Sequence, residues 1–393
     1  MKKLGKEVLI LHGTKEFPRS GEGAFLRLKD GRIMYAFTKY YDGAGGDHDS
    51  AYIAAAYSSD EGESFSEDTP LLLKEEGEVN IMSVSLIRME NGDLGLIYLQ
   101  KTEAPDGSIY CLPLIRRSAD EGKTFGEAIR MVDKPSYYVL NNDRVIRLKS
   151  GRLIFAVADH KRLTKHTFHP GSIAVFYSDD DGRSFNRAPV DMISPINETH
   201  GYLEPGLFEF SDGTVWMYIR TNYGYQYQSF SKDGGITWTV PVPNYKITSP
   251  SAPMLVKQVG EYVVAIFNPM PWAIAFSNKA PWGVTRERNP FVMAVSIDGG
   301  RSLVDQDFSD RCGEFLPYIK YCYYIEDDRS YNCSYPAITE VDGGFLVAHY
   351  HVDPERVMRL RIIKISFDEL SSDINGSSER VAEDYKKPKT DIF

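Results

Sequence analysis

Short stretches with hydrophobic residues at every second position follow one another along this chain, and tight turns separate them. In one stretch, Phe208 and Phe210 precede a Ser-Asp-Gly turn, and Val215, Met217 and Ile219 alternate after it. A period of two predicts half-buried β-strands, and two such runs joined by a tight turn predict a β-hairpin. The pattern therefore predicts antiparallel sheet.

A polar turn motif follows a predicted third strand at five places. Its consensus is Ser-x-Asp-x-Gly-x-Ser/Thr, followed by an aromatic residue in four copies and by leucine in the last. Ser and Asp side chains satisfy backbone donors within a tight turn, and Gly supplies a positive φ angle. We therefore predict a structural role for the motif, between the third and fourth strands of each unit. The copies start 60, 60, 53 and 65 residues apart, at Ser58, Ser118, Ser178, Ser231 and Ser296.

Six hairpin turns that end in glycine accompany these motifs. Repeated four-stranded units with this period predict an all-β fold, a six-bladed β-propeller. The sixth unit lacks an outer strand, and residues 7–12 can supply it, which would close the ring and remove two exposed sheet edges. The turns are Asp30-Gly31, Asn91-Gly92, Ser150-Gly151, Asp212-Gly213, Val259-Gly260 and Asp342-Gly343.

Length and composition fit one globular ring. No linker interrupts the 393 residues, so we expect a single domain over residues 1–393, with the polar segment 374–393 at its periphery. Aromatic residues make up 12% of the chain, which favours strands and sugar-binding surfaces. The net charge of −10 argues against nucleic acid or an anionic membrane as a partner.

The termini and cysteines indicate a cytoplasmic protein without a cofactor. The only apolar run near the N-terminus is residues 8–11, too short for a signal peptide or a membrane span. The cysteines lack metal-binding spacing, and we expect no metal. Three of them lie within 22 residues, so a disulfide is possible, although free thiols are expected in a reducing compartment. The four are Cys111, Cys312, Cys322 and Cys333.

Two polar residues stand where the hairpin pattern expects none. Glu204 begins the first strand of its hairpin and Arg220 ends the second. A hairpin brings these two ends to the same edge of a sheet. The pair is either a salt bridge at the rim or part of a site for a polar ligand.

The five motifs on a six-unit plan resemble the Asp-box, or BNR-repeat, propellers of the sialidase (neuraminidase) superfamily, including glycoside hydrolase family 33. The resemblance covers nearly the whole chain. It implies a retaining exo-glycoside hydrolase that removes a terminal, acidic sugar from a glycan or oligosaccharide. Because related propellers bind or cleave other ligands, the residues at the rim must decide the activity.

Four positions of the family have matching residues here. Glu204 and Arg220 lie sixteen residues apart across an Asp-Gly turn, like the catalytic glutamate and second arginine of the family. Arg288, eight residues before a turn motif, matches the third arginine. Tyr335 begins the strand before the sixth glycine turn and matches the nucleophilic tyrosine. The resemblance implies that Glu204 is the base for Tyr335 and that the arginines bind a carboxylate.

The first blade departs from the family pattern. Asp47 and Asp49 lie in the loop that carries the family's acid/base aspartate, and Asp47 fits better by spacing. The first arginine of the family falls on Gly21, with Glu22 beside it and Arg19 two residues earlier. Either Arg19 reaches the site through a changed loop, or Glu22 accepts hydrogen bonds from a different sugar. We predict weak or absent sialoside hydrolysis and a preference for another terminal sugar, with entry of Arg19 into the site as the competing explanation.

Other polar residues are candidates for substrate contact. The segment 141–144 interrupts an apolar strand, and its side chains either line the cavity or close a turn. Two further functions stay open: a glycosidase for another sugar or a polysaccharide lyase on the same scaffold, and a non-catalytic carbohydrate-binding propeller. In a lyase, Tyr335 or a histidine would abstract a proton. The candidates are His48, His160, His200, Asn142 and Arg144.

Overall fold

Six antiparallel sheets, arranged as the blades of a ring, make up the described residues; five have four strands and one has five. The computed structural model describes residues 1–161, 169–196, 200–249, 252–269, 288–304, 319, 321–328 and 330–375. The predicted six-bladed β-propeller is confirmed. Residues 376–393, most of the predicted peripheral tail, lie outside the described residues.

Each blade is one continuous stretch of the chain, except that the last blade also takes the N-terminal strand β1 (Lys6–His12). Blade 1 contains β2 (Arg19–Arg27), β3 (Ile33–Tyr40), β4 (Ala51–Ser58) and β5 (Thr69–Leu72). Blade 2 contains β6 (Glu78–Arg88), β7 (Leu94–Glu103), β8 (Ile109–Ser118) and β9 (Ile129–Arg130). Blade 3 contains β10 (Tyr138–Val139) and β11 (Ile146–Arg147), which both pair with β12 (Leu153–Asp159), then β13 (Ser172–Ser178) and β14 (Asn186–Ile193).

The second half of the ring follows the same order. Blade 4 contains β15 (Leu203–Glu209), β16 (Val215–Arg220), β17 (Tyr227–Ser231) and β18 (Val242–Pro243). Blade 5 contains β19 (Leu255–Val259), β20 (Tyr262–Phe267), β21 (Phe291–Ser296) and β22 (Tyr321–Glu326). Blade 6 contains β23 (Asn332–Val341), β24 (Gly344–Val352) and β25 (Met358–Ser366), and residues 367–375 are helical.

The ring closes where β1 pairs antiparallel with β25. Lys6 lies opposite Lys364, and His12 lies opposite Arg359. The Lys3 Nζ atom donates a hydrogen bond to Oε1 of Glu326 on blade 5, at 2.7 Å. The N-terminal segment therefore covers an edge that β25 would otherwise expose.

The turn motifs use their polar side chains internally, as the sequence predicts. In the first copy, Asp60 accepts hydrogen bonds from the Ser64 amide at 3.0 Å and the Ser64 hydroxyl at 2.5 Å. The Gly62 amide donates to Ser58 Oγ at 2.8 Å. Gly62 has a φ of 79°, and a Cβ there would meet the Leu346 side chain at 2.6 Å. The motif thus shapes the turn and lets it pack against the neighbouring blade.

The hydrophobic core is divided among the six contacts between neighbouring blades, each with its own cluster of buried side chains. Among the described residues, no helix has the length and apolar character needed to cross a membrane. Cys111, Cys322 and Cys333 are free thiols, and Cys312 lies outside the described residues.

Candidate active site

The first strands of the blades face the centre of the ring, where β2 contacts β6 and β23, and β19 contacts β15 and β23. In four blades the ladder register shifts within this strand, and a non-glycine residue beside the shift has a positive φ angle. A β-bulge of this kind bends the strand and re-aims a side chain. The residues and their φ angles are Glu22 (53°), Ser83 (55°), Glu204 (37°) and Tyr335 (57°).

Blade 3 has the same feature in another form. Between β10 and β11, Asp143 has a φ of 57° and interrupts the strand. Non-glycine residues with positive φ are uncommon, cost about 1–3 kcal/mol each and concentrate at functional sites. Five blades therefore each carry one residue with a strained backbone in or beside the first strand. Glu204 and Tyr335 are two of these residues.

Tyr335 and Glu204 are hydrogen-bonded although 131 residues separate them. The Tyr335 hydroxyl donates to Glu204 Oε1 at 2.8 Å, and Arg220 Nη1 donates to Glu204 Oε2. Glu204 is buried, and Tyr335 and Arg220 are partly exposed. Thus a phenol from blade 6 and a carboxylate and a guanidinium from blade 4 are linked by consecutive hydrogen bonds.

The surroundings keep the proton on Tyr335 and the charge on Glu204. Burial raises the pKa of Tyr335 above its ordinary value, and the Glu204 carboxylate adds to this shift. Burial also acts to raise the pKa of Glu204, but the charge and hydrogen bond of Arg220 outweigh it, so this pKa lies below its ordinary value. The ionised Glu204 carboxylate therefore accepts a hydrogen bond from the neutral Tyr335 phenol.

Arg288 lies against the ring of the same tyrosine. Its guanidinium carbon is 5.2 Å from the Tyr335 ring centroid, and its Nη1 donates to Ser334 Oγ at 2.9 Å. The Arg288 amide donates to Asn332 Oδ1 at 2.6 Å, which fixes the backbone beside β23. We call Tyr335, Glu204, Arg220 and Arg288 the Tyr335 cluster.

Arg19 is buried in a second cluster beside the first. Its Nε donates to the Tyr350 hydroxyl at 2.7 Å, its Nη1 donates to Asp47 Oδ1 at 2.5 Å, and its Nη2 donates to Glu22. The Tyr350 ring meets the Tyr335 ring edge-on, with centroids 5.7 Å apart. Arg19 therefore lies beside the Tyr335 cluster and is bonded to Glu22, the bulge residue of β2.

The two carboxylates that bind Arg19 differ in burial. Glu22 is buried and also accepts a hydrogen bond from Ser83 on blade 2. The Asp47 side chain is 65% exposed and can face a ligand. Desolvation acts to raise the pKa of Asp47, but the charges of Arg19 and Lys101 outweigh it and hold this pKa at about 2. We call Arg19, Glu22, Asp47, Ser83 and Tyr350 the Arg19 cluster.

Asp49 and the histidines lie around the two clusters. Asp49 Oδ2 accepts from the amides of Ala44 at 3.0 Å and Gly46 at 2.7 Å, and so shapes the loop. His48 Nε2 lies 3.4 Å from the Tyr137 hydroxyl. His160 Nδ1 donates to a backbone carbonyl at 2.9 Å, and the His200 carbonyl accepts from Gly171 at 2.8 Å.

Asn142 and Arg144 are fully buried and bind backbone oxygens of other blades. Asn142 Nδ2 donates to the carbonyls of Gly23 at 2.9 Å and Pro336 at 3.2 Å, next to the bulges of blades 1 and 6. Arg144 Nη2 donates to the Met254 carbonyl at 2.7 Å. These contacts tie the interrupted strand of blade 3 to its neighbours behind the bulge residues.

Ser83, Lys101 and Tyr350 contact the candidate residues but do not stand out in the sequence. A regular offset could have revealed Ser83, because Glu22, Ser83 and Glu204 each lie nine residues before the glycine of their hairpin turn. No comparable signal exists for Lys101 or Tyr350. Both lie on second strands of blades, where burial rather than spacing brings them to the site.

Comparison with known proteins places the chain in a family. A model described as a BNR repeat-like domain matches residues 85–348, more than half of the chain. No curated protein matches the sequence. Among solved structures, a Dyadobacter fermentans protein of unknown function has 15% identity and a TM-score of 0.66, covering 92% of this chain and 98% of that one.

Two similar structures are intramolecular trans-sialidases. The leech enzyme has 15% identity and a TM-score of 0.68, covering 95% of this chain and 72% of its own. The Ruminococcus gnavus enzyme has 15% identity and a TM-score of 0.65, covering 90% of this chain and 95% of its own. At such identities the likeness concerns the fold. The chain belongs to the BNR repeat-like domain family and has the six-bladed propeller fold of the sialidases.

Proposed function

We propose that this protein is a retaining exo-glycoside hydrolase that cleaves a terminal acidic sugar from a glycan. The observation that carries the proposal is the hydrogen-bonded series Tyr335–Glu204–Arg220. A neutral phenol bonded to an ionised carboxylate is an activated nucleophile, because the carboxylate can take the proton as the oxygen attacks.

In the first step, the Tyr335 oxygen attacks the anomeric carbon while Glu204 accepts the phenolic proton. The bond to the leaving oxygen breaks, and Asp47, which must carry a proton at this stage, donates it to that oxygen. In the second step, Asp47 takes a proton from water, the water oxygen bonds the anomeric carbon as the bond from that carbon to Tyr335 breaks, and Tyr335 recovers its proton from Glu204. Sialidases use tyrosine in this way, unlike most glycosidases, which use two carboxylates.

The charges of the site favour an acidic sugar. A neutral nucleophile avoids repulsion by a carboxylate near the anomeric carbon. Arg220 and Arg288 present guanidinium groups on two sides of Tyr335, and guanidinium groups bind carboxylates in paired hydrogen bonds. Arg19 is already bonded to Glu22 and Asp47, so we expect two arginines rather than three to hold the sugar carboxylate.

The resemblance to trans-sialidase folds makes sialic acid the first sugar to test. With Arg19 engaged by two carboxylates, we expect weaker sialoside hydrolysis than a site with three available arginines would give. A panel of glycans, analysed for released monosaccharides, identifies the preferred sugar. Faster release of a different acidic sugar would place the specificity elsewhere.

Covalent trapping tests the reaction type. A fluorinated analogue of the preferred sugar, with a good leaving group, should form a stable adduct on Tyr335 that peptide mass spectrometry locates. Tyr335→Phe should form none, whereas Tyr331→Phe, at a ring stacked on His351 outside both clusters, should react normally. An unsaturated product absorbing in the near ultraviolet would instead indicate a lyase, and binding without turnover would indicate a lectin.

A further inference from the structure

Two cations from different blades meet at Asp47. Arg19 on β2 binds the carboxylate, and Lys101 on β7 binds the main chain, with its Nζ donating to the Asp47 carbonyl at 2.6 Å. Asn80, opposite Lys101 in the ladder, donates from Nδ2 to the carbonyls of Asp47 at 3.0 Å and Asp49 at 2.8 Å. Blade 2 therefore holds the loop of blade 1 by its backbone.

The charge of Lys101 is in an unusual environment. The residue is 2% exposed, and within the described parts of the chain it forms no ion pair with a carboxylate. The Tyr137 ring centroid lies 5.8 Å from its Nζ. A buried ammonium group is costly unless it is paired. Lys39, on β3 of blade 1, has the ordinary solution, a salt bridge to Asp68 at 2.5 Å.

We propose that Lys101 is a positioning residue for Asp47. It fixes the loop through the Asp47 carbonyl, and its positive charge, with that of Arg19, stabilises the carboxylate that Asp47 becomes once it has given its proton to the leaving oxygen. The inference rests on the proposed function for the acid/base role of Asp47, but the contacts of Lys101 do not depend on it.

Several groups face Asp47 from the elements around it, and the two cations dominate. His48 is uncharged near neutrality, because burial and the Lys101 charge both lower its pKa. Removing Lys101 therefore removes one of two positive charges, and the pKa of Asp47 should rise. The groups are Arg19 and Glu22 on β2, Lys101 on β7, Tyr40 on β3, Cys111 on β8, and His48 and Tyr137 in loops.

The experiment compares Lys101→Met with the matched variant Lys39→Met in the full chain. Carbon-13 NMR of aspartate carboxyl groups, with Asp47→Asn for assignment, follows Asp47 from pH 7 down through its folded pKa of about 2. We expect Lys101→Met to move the titration upward by about one pH unit and Lys39→Met to leave it unchanged. Amide hydrogen exchange should accelerate in residues 42–49 only in Lys101→Met.

Turnover provides a second, separate measurement. On the sugar released by the wild type, Lys101→Met should lower kcat/KM about tenfold, and Lys101→Arg, which keeps the charge, should recover most of it. An unchanged Asp47 titration and unchanged loop exchange in Lys101→Met would overturn the proposal. If no sugar is released by any variant, the hydrolase proposal fails, while the NMR titration still decides the role of Lys101. Lys101→Gln serves if the methionine variant does not fold.

Discussion

At the scale of single residues, the hydroxyl of Tyr335 carries the proposed chemistry and little of the stability. Tyr335→Phe removes the nucleophilic oxygen but leaves Glu204 bonded to Arg220. We expect kcat to fall by at least about 100-fold and the free energy of unfolding to change by about 1 kcal/mol. Steady-state kinetics and urea denaturation measure the two quantities. Near-normal turnover in a folded variant would exclude the tyrosine mechanism.

The Glu204–Arg220 ion pair makes stability depend on pH. The pKa of Glu204 is lowered in the folded protein, whereas an unfolded glutamate titrates near about 4.3. The stabilisation is therefore complete only above the unfolded value of about 4.3 and is lost as pH falls through the folded pKa. We expect the difference in unfolding free energy between wild type and Glu204→Gln to narrow below that pH. A constant difference down to pH 3 would show that the pair does not titrate.

The Arg19–Glu22 pair is predicted to couple strongly because both side chains are buried. Arg19→Met leaves Glu22 without its cation and should cost about 3 kcal/mol, part of which Glu22→Gln should restore in the double variant. The exposed pair Arg27–Glu61, on the same blade, is the control and should couple by less than about 1 kcal/mol. Equal coupling energies from denaturation would mean that the buried pair Arg19–Glu22 interacts no more strongly than the exposed pair.

At the scale of elements, the bulges of the first strands are what place the candidate residues. In blade 4, Gly206 follows Glu204 and Pro205, and a Cβ at Gly206 would meet the Tyr218 ring at 2.3 Å. Gly206→Ala should therefore displace β15 from β16, cost about 1–3 kcal/mol and lower kcat through Glu204. Gly126→Ala, where the nearest atom lies at 3.7 Å, is the control. A thermal melt and kinetics check both, and equal behaviour of the two variants contradicts the prediction.

The blades follow from sequence because their signals are local. Alternation, turn glycines and the Ser-x-Asp motif specify strands and turns within a few residues, and their period specifies the ring. The candidate site is harder to predict from the sequence. A bulge changes which side chains face the centre of the ring, but the spacing of the turn motifs stays the same. Glu204 and Tyr335 could be proposed by resemblance. The burial of Lys101 and the interior contacts of Asn142 arise from packing between blades, which no local pattern records.

At the scale of the whole molecule, the ring depends on its N-terminal strand. Besides the ladder between β1 and β25, Glu326 of blade 5 accepts from Lys3 Nζ at 2.7 Å and from Arg361 Nη1 of blade 6 at 2.9 Å. Removal of residues 1–12 should expose the β25 edge, lower the melting temperature and promote association through that edge. Light scattering coupled to size exclusion and a thermal melt measure these effects.

Lys3→Met separates the strand from the ion pairs, because it keeps β1 and removes only the contacts of the Lys3 ammonium with Glu326 and Asp327. The Lys3 side chain is 40% exposed, so we expect this variant to remain monodisperse and to melt within a few degrees of the wild type. If the truncated chain is also monodisperse with an unchanged melting temperature, blade 6 is stable with three strands and the N-terminus does not close the ring. If Lys3→Met aggregates like the truncation, the ion pairs rather than the strand are the closing contact.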